Sequence, residues 1–181
     1  CLGIINRVKR QVIPVLVNLA EIRKSPDLTR NYHFEEQFPP LSLMGEEIKF
    51  SAPVLADVIV HNTGMVLQMK GSIRTRAILA CGRCLKLVDY PIQIEFELPY
   101  VHQDDLNELG IQVEPGEDPD HYEIFGEEPI NLRDIITENI IMAIPMSFLC
   151  HPDCRGLCVQ CGQDLNQTEC DCQPEQIDPR L

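Results

Sequence analysis

The sequence predicts an α+β fold: a mainly antiparallel β-sheet, one helix packed on it near the C-terminus, and a cysteine-rich tail. Three observations carry this. The stretch from 52 to 101 alternates apolar and polar residues with a period of two, the stretch from 131 to 143 switches to helical spacing, and six cysteines crowd into residues 149 to 172. A chain of 181 residues with 44% hydrophobic and 24% charged content is long enough for one core plus an appendage, and its composition is that of a folded chain.

The strands follow in order. "APVLADVIVHN" (52 to 62), "GMVLQMKGSIRTRAILAC" (64 to 81) and "LVDYPIQIEFELPYV" (87 to 101) are rich in Val, Ile, Leu and aromatics, with turn signals at Asn62, Thr63 and Gly64. They read as consecutive antiparallel strands. "VIPVLVNLA" (12 to 20) and "NYHFEEQF" (31 to 38) add two more, separated by the turn-like "KSPDL". Pro91 offers no N–H to a ladder, so its strand lies at an edge or carries a bulge. In "PINLRDIITENIIMAIP", Leu132, Ile135, Ile136, Ile140, Met142 and Ala143 fall near helical spacing, with Asn131 as N-cap and Pro145 as stop. That helix lays its apolar face on the sheet.

Three regions result: residues 1–101 form the antiparallel β domain, 102–128 an acidic insertion or linker, and 129–181 a helix and tail that pack back on the sheet. The net charge of −13 excludes a protein coated all over with phosphate contacts. Its distribution matters more. Residues 1 to 30 hold six of the fifteen basic side chains (Arg7, Lys9, Arg10, Arg23, Lys24, Arg30), whereas 102 to 128 holds ten acidic residues and no Lys or Arg. The acidic run reads first as a solvated, partly mobile segment and second as a lure for a basic partner such as a ribosomal protein. No run approaches the roughly 18 consecutive apolar residues of a membrane span. "VIPVLVNLA" leads into Glu21 and Lys24 where an export signal would have small residues.

The cysteines carry the chemistry. Apart from Cys1, eight are grouped as Cys81-x2-Cys84 and Cys150-x3-Cys154-x3-Cys158-x2-Cys161-x8-Cys170-x-Cys172. Eight thiolates make two tetrahedral sites of four, and a fully thiolate-ligated ion of this kind is zinc. Six thiols lie in the tail, so completing two sites needs Cys81 and Cys84, and a long-range clip follows from the count. In a CxxC segment the chain turns tightly enough to aim both sulfurs at one ion, and Gly82 and Gly162 ease such turns. The symmetry of "CGRC" and "CVQC" groups Cys81 and Cys84 with Cys158 and Cys161, leaving Cys150, Cys154, Cys170 and Cys172 for the second ion. His151, beside Cys150, is a substitute ligand. Disulfides, a redox CxxC and an iron–sulfur cluster are weaker readings: the first needs an oxidising compartment, the second a strand-turn-helix setting, the third different spacings.

A zinc with four cysteine ligands has no open position for water, so it stabilises structure and generates no hydroxide. The five histidines (His33, His61, His102, His121, His151) are scattered, and there is no nucleophile elbow, phosphate loop or dinucleotide fingerprint. A metal-dependent nuclease is the weakest alternative. Around the first knuckle stand Lys70, Arg74, Arg76, Arg83 and Lys86, joined by Arg155 if the knuckles meet; they either balance the negative zinc–thiolate centres or form an RNA-phosphate patch.

"ACGRCL" after a strand, a helix running into "IMAIPMSFLC", then "CRGLCVQCGQDLN", "CDC" and "DPRL" resemble the bacterial YceD family, the large ribosomal RNA subunit accumulation proteins. Cys81 and Cys84 match that family's first CxRC, and Cys158, Cys161, Cys170 and Cys172 the cysteine-rich tail of many members. The resemblance implies a non-enzymatic ribosome-biogenesis factor, cytoplasmic or plastid in plants, needed for 23S ribosomal RNA processing or accumulation. Its expected partner is large-subunit RNA at the basic patch or, alternatively, a basic large-subunit ribosomal protein escorted by the acidic segment 102 to 128, with no membrane and no small-molecule substrate expected.

Overall fold

In a computed structural model the described residues are 16–43, 45–111 and 122–172. The basic lead-in (Arg7, Lys9, Arg10), residues 112–121 of the acidic run and the terminal "DPRL" lie outside them. The chain runs β1 (Leu16–Val17), α1 (Leu19–Arg23), β2 (Thr29–Glu36), β3 (Leu41–Leu43), β4 (Glu46–Phe50), β5 (Val54–Asn62), β6 (Val66–Ala80) and β7 (Leu87–His102). A 3-10 turn (Gln103–Asp105), α2 (Leu106–Leu109), β8 (Glu123–Phe125), β9 (Ile130–Asn131) and α3 (Leu132–Ala143) follow.

The sheet is built on β6. One side of it pairs with β5 and then, further along, with β4; the other side pairs with β7, all antiparallel. β2 extends the sheet beyond β5, β3 beyond β4, and β8 adds a short parallel strand to the end of β7. The period of two is visible in β5, where Val54, Ala56, Val58, Val60 and Asn62 point inward while Leu55, Asp57 and Ile59 are exposed. The β6–β7 pairing runs unbroken from Val66↔Val101 to Ala80↔Leu87, so Pro91 marks an edge and not a bulge. Gly71 sits opposite Phe96, whose ring covers the space that a side chain at 71 would need.

α3 is capped by Asn131, whose side chain accepts from the N–H of Arg133 at 3.1 Å, and it buries Leu132, Ile135, Ile136, Asn139 and Ile140 in the core. It is not the only helix, since α1 and α2 accompany it. Met142 and Ala143 do not belong to its buried face: both are exposed, Met142 at 76%. Met142 follows Ile140 by two residues, about 200° around the axis, so it points away from the core.

One further expectation is corrected. Within "VIPVLVNLA" only Leu16 and Val17 are strand, and residues 12–15 lie outside the described range. Asn18 caps α1 by accepting from Glu21 N at 3.1 Å, and burial of Leu19, Ala20 and Ile22 outweighs the β-propensity of the preceding run. Where it is described, the acidic segment 102–128 keeps Asp104, Glu108, Glu123, Glu127 and Glu128 exposed and is anchored by a few other side chains. His102 is 1% exposed and stacks edge-on against Phe125, and Asp105 takes two hydrogen bonds from Arg23, at 2.6 and 2.9 Å. Those bonds hold the Asp105 carboxyl below its usual range.

Candidate metal centre

The β6–β7 hairpin ends in the first knuckle. Its turn is the segment Cys81 to Lys86, closed by Cys81 N–H donating to Lys86 O at 2.9 Å and Leu85 N–H to Cys81 O at 2.9 Å. The second knuckle repeats this frame: Cys158 N–H donates to Gln163 O at 2.8 Å and Gly162 N–H to Cys158 O at 2.9 Å. Leu85 and Gly162 are therefore equivalent, and both have positive φ, 56° and 73°. Sequence reading assigned the easing role to Gly82 and Gly162. The first knuckle instead places a leucine in the left-handed region, where glycine alone is free of the side-chain penalty. Leu85 is 65% exposed, so it loses little by truncation. Leu85→Gly is expected to raise stability by about 1 kcal/mol, or 2–4 °C in Tm, measured by thermal unfolding of the metal-loaded chain.

All eight thiols are free and fall into two tetrads, each with its four sulfurs within 4.8 Å of one another: Cys81, Cys84, Cys150 and Cys154, and Cys158, Cys161, Cys170 and Cys172. This overturns the division expected from the symmetry of the knuckles. Each knuckle keeps its own partners. The segment that follows α3 reaches the first knuckle directly, with Gly82 N–H donating to Phe148 O at 2.8 Å, and so delivers Cys150 and Cys154 before the second knuckle begins. The long-range clip expected from the count is present, but its tail half is the "CHPDC" turn.

In the first tetrad Cys81 and Cys154 sulfurs lie 3.8 Å apart and those of Cys84 and Cys150 3.6 Å apart. A tetrahedral ion with arms of about 2.3 Å has edges of about 3.8 Å, whereas a disulfide needs about 2.05 Å. The residues fit a metal of zinc's size and softness. Cys81, Cys84 and Cys154 are buried; in the second tetrad Cys161 and Cys172 are exposed. The first cysteine of each knuckle is the acidic one. Backbone N–H groups, that of Cys84 foremost for Cys81 and that of Cys161 for Cys158, pull both thiols down to about 6. Burial pushes Cys150 up to about 12, and the thiol of Cys161 does the same for Cys172. A divalent cation would supply the charge needed to ionise these last two.

Around the sulfurs a network ties tail to hairpin. Arg83 donates through Nη1 to Cys154 O at 2.8 Å and accepts at its own carbonyl from Leu157 N–H at 3.1 Å. Gly156, at φ 78°, lies so close that a Cβ there would stand 3.0 Å from Arg83 O. Asn166 accepts from Arg155 N–H at 2.7 Å and donates to Cys154 Sγ at 3.5 Å. Asn166 was missed by sequence reading; its spacing from the cysteines signals nothing, and only the fold brings it to the sulfur. His151, the substitute ligand, is exposed and outside both tetrads.

The basic residues divide. Lys70, Arg74 and Arg76 stand on the exposed face of β6, with Lys70 about 20 Å from Arg76 along the strand. Arg83, Lys86 and Arg155 gather at the knuckles. Lys70 pairs with Glu97 at 2.9 Å, Arg76 with Asp89 at 2.7 Å and Arg155 with Glu169 at 3.7 Å. Among the described residues Arg74, Arg83 and Lys86 make no ion pair within 4 Å. No described helix is long and apolar enough to cross a membrane.

The family model of the large ribosomal RNA subunit accumulation protein YceD matches residues 69–181, which includes both knuckles and all eight clustered cysteines. The chain belongs to the YceD family. Among curated relatives, the chloroplastic YCED homolog 1 of Zea mays, a large ribosomal RNA subunit accumulation protein, is 29% identical over 148 residues, 69% of this chain and 50% of the relative. An uncharacterised protein of Mycobacterium tuberculosis is 27% identical over 168 residues, 92% of this chain and 78% of the relative. The uncharacterised YlbN of Bacillus subtilis is 24% identical over 157 residues, 84% and 85%. The chain thus spans about half the length of its chloroplastic YceD relative. No solved structure matches it.

Proposed function

We propose that this YceD protein is a non-enzymatic ribosome-biogenesis factor needed for processing or accumulation of 23S ribosomal RNA. Its two tetrads hold structural zinc, and it contacts large-subunit RNA through basic side chains around the first knuckle. It works in the bacterial cytoplasm, or in the plastid if the chain comes from a plant. The observation that carries this reading is the family match, whose description names large ribosomal RNA subunit accumulation. The thiol tetrads support the structural role of the metal, since four cysteine ligands leave no position for an activated water. In this reading 1–101 and 129–181 form one working unit joined at the first tetrad, with 102–128 as an acidic insertion.

RNA contact is assigned first to Arg74 and Lys86, because neither is engaged by a carboxylate within ion-pair distance. Arg83 has a second task, since its guanidinium holds Cys154 O. Arg76 is a poor reporter: charge reversal there would set a carboxylate against Asp89 and disturb the Ser51 hydroxyl that also donates to Asp89 at 2.7 Å. Arg74→Glu combined with Lys86→Glu is expected to weaken binding to a 23S precursor fragment at least about tenfold and to flatten its salt dependence by about two phosphate contacts. Unchanged affinity would move the RNA contact elsewhere or replace it by a protein partner. The same metal-loaded protein should leave the precursor uncut.

A further inference from the structure

Beside the first knuckle lies an open cavity of about 720 Å³. Its walls are the β3–β4 hairpin on one side and the segment leaving α3 on the other, with the end of β6 as floor. Ile48, Ile78, Leu87, Met142, Met146 and Phe148 line it. Three of these are among the most exposed apolar side chains described: Leu87 at 68%, Met142 at 76% and Met146 at 92%. An apolar surface this open is a place where something else binds, and methionines repack around differently shaped anchors.

The charge of the groove identifies the partner. Among the described residues the charged ones that line it are Glu46 and Glu47, with no Lys or Arg. The one cation on the hairpin within ion-pair distance, Lys49 at 3.7 Å from Glu47, is shared with that carboxylate. The C-terminal end of α3 adds the negative pole of a helix dipole, with no basic residue in its last turn to balance it. On the outward face of α3, Asp134 and Glu138 continue the line of Met142 at intervals of four residues. An RNA strand would bring phosphates against these groups. A second copy would set Glu46 and Glu47 against another chain whose net charge is also −13.

We propose that the groove receives a cationic amphipathic segment of a partner protein, with apolar anchors between Met142, Met146 and Ile78 and Lys or Arg side chains toward Glu46, Glu47 and the end of α3. Binding is of the peptide-in-groove kind, where a few apolar anchors give affinity and the flanking charges give orientation and rate. The metal takes part indirectly, because Gly82, which also lines the groove, is tied to Phe148 O at the rim of the first tetrad. The inference is independent of the RNA contact proposed above, of whose residues Lys86 borders the groove beside Leu87 and Arg74 stands elsewhere on β6.

The test uses the full metal-loaded chain and a fluorescent amphipathic peptide of Leu and Lys, about five helical turns long. Its partner probes are the same peptide with Glu for Lys and a single-stranded RNA. Two double variants report on the groove, Met142→Ser with Met146→Ser, and Glu46→Gln with Glu47→Gln; all four side chains are exposed, and an unchanged Tm verifies the fold. The expected result is saturable micromolar binding of the Lys peptide, about tenfold weaker in the methionine pair, and weaker with a smaller salt dependence in the glutamate pair. The Glu peptide and the RNA should not compete. Equal binding by the variants, competition by RNA, or no saturable binding would overturn the proposal. So would a concentration-dependent dimer that the methionine pair abolishes, which would give the groove to a second copy.

Discussion

Cys84→Ser is expected to abolish metal binding by the first tetrad and to lower Tm by about 10 °C or more, whereas Cys161→Ser abolishes that of the second at a much smaller cost. The asymmetry follows from what each tetrad closes. Joining the hairpin tip to the segment after α3 ties together positions 66 residues apart from Cys84 to Cys150 and 73 apart from Cys81 to Cys154. Constraining a loop of that length is worth about 4 kcal/mol of unfolded-state entropy, before any strength of the metal bonds is counted. The second tetrad closes only the stretch from Cys158 to Cys172, most of it exposed. Its loss should leave the sheet folded and expose the tail to protease. Metal content by mass spectrometry, with calorimetric melting, reads both variants; equal Tm losses would reject the division of roles. Acid should weaken both tetrads over one pH range. Cys81 and Cys158 have folded pKa values lowered to about 6, so the stability they supply is present above the ordinary thiol range and is lost as pH falls through about 6.

The division of thiols was not legible in the spacing alone. Eight cysteines in two CxxC knuckles and a crowded tail dictate two sites of four, but symmetry between the knuckles is a pattern of sequence and ligation is a matter of reach. Cys158, Cys161, Cys170 and Cys172 can meet by bending a short stretch, which costs less chain entropy than recruiting a distant knuckle, and that argument would have given the observed tetrads. The long strands were legible because burial on one face imposes a period of two on β5, β6 and β7. The β3–β4 hairpin was not, since "LSL" and "EEIKF" are short and half polar, and it forms one wall of the apolar groove. α1 was misread as strand because its capping by Asn18 and its packing decide it, against local β-branched residues.

Asn62→Asp is the second change with a large expected effect, a loss of about 2–4 kcal/mol from a substitution that alters almost no volume. Asn62 has no exposed surface. Its amide donates to the carbonyls of Ile22 (2.9 Å), Arg23 (3.1 Å) and Ser25 (3.0 Å), and its Oδ1 accepts from Gly64 N–H at 2.8 Å. A carboxylate in that place points an oxygen at three carbonyl oxygens and would be buried without a countercharge. The pH dependence identifies the cause. Burial and the facing carbonyls raise the folded pKa of the introduced acid above its unfolded value of about 3.9, so its destabilising ionisation is absent in acid and grows as pH rises through the ordinary carboxylate range. Denaturant unfolding at two pH values checks it: a loss independent of pH would mean that the amide network is not what holds α1 to the β5–β6 turn. Asn62 looked like a turn marker, yet the alternation of β5 already placed it inward, in phase with Val54, Ala56, Val58 and Val60.

Pro91 on the edge strand has a consequence for how the protein behaves among its own copies. From Leu87 to Pro99, β7 hydrogen-bonds to β6 on one side and has no described strand on the other. A free strand of that length would ordinarily be a template for adding a neighbour, and a chain with a long hairpin at its centre would run the risk of fibrous stacking. Here the template is spoiled at intervals. Pro91 and Pro99 cannot donate, and Asp89, Glu95 and Glu97 give the strand negative charge that an incoming copy of it would repeat. Without its prolines and acids this edge would be free to recruit a copy, so the strand is built to be left alone.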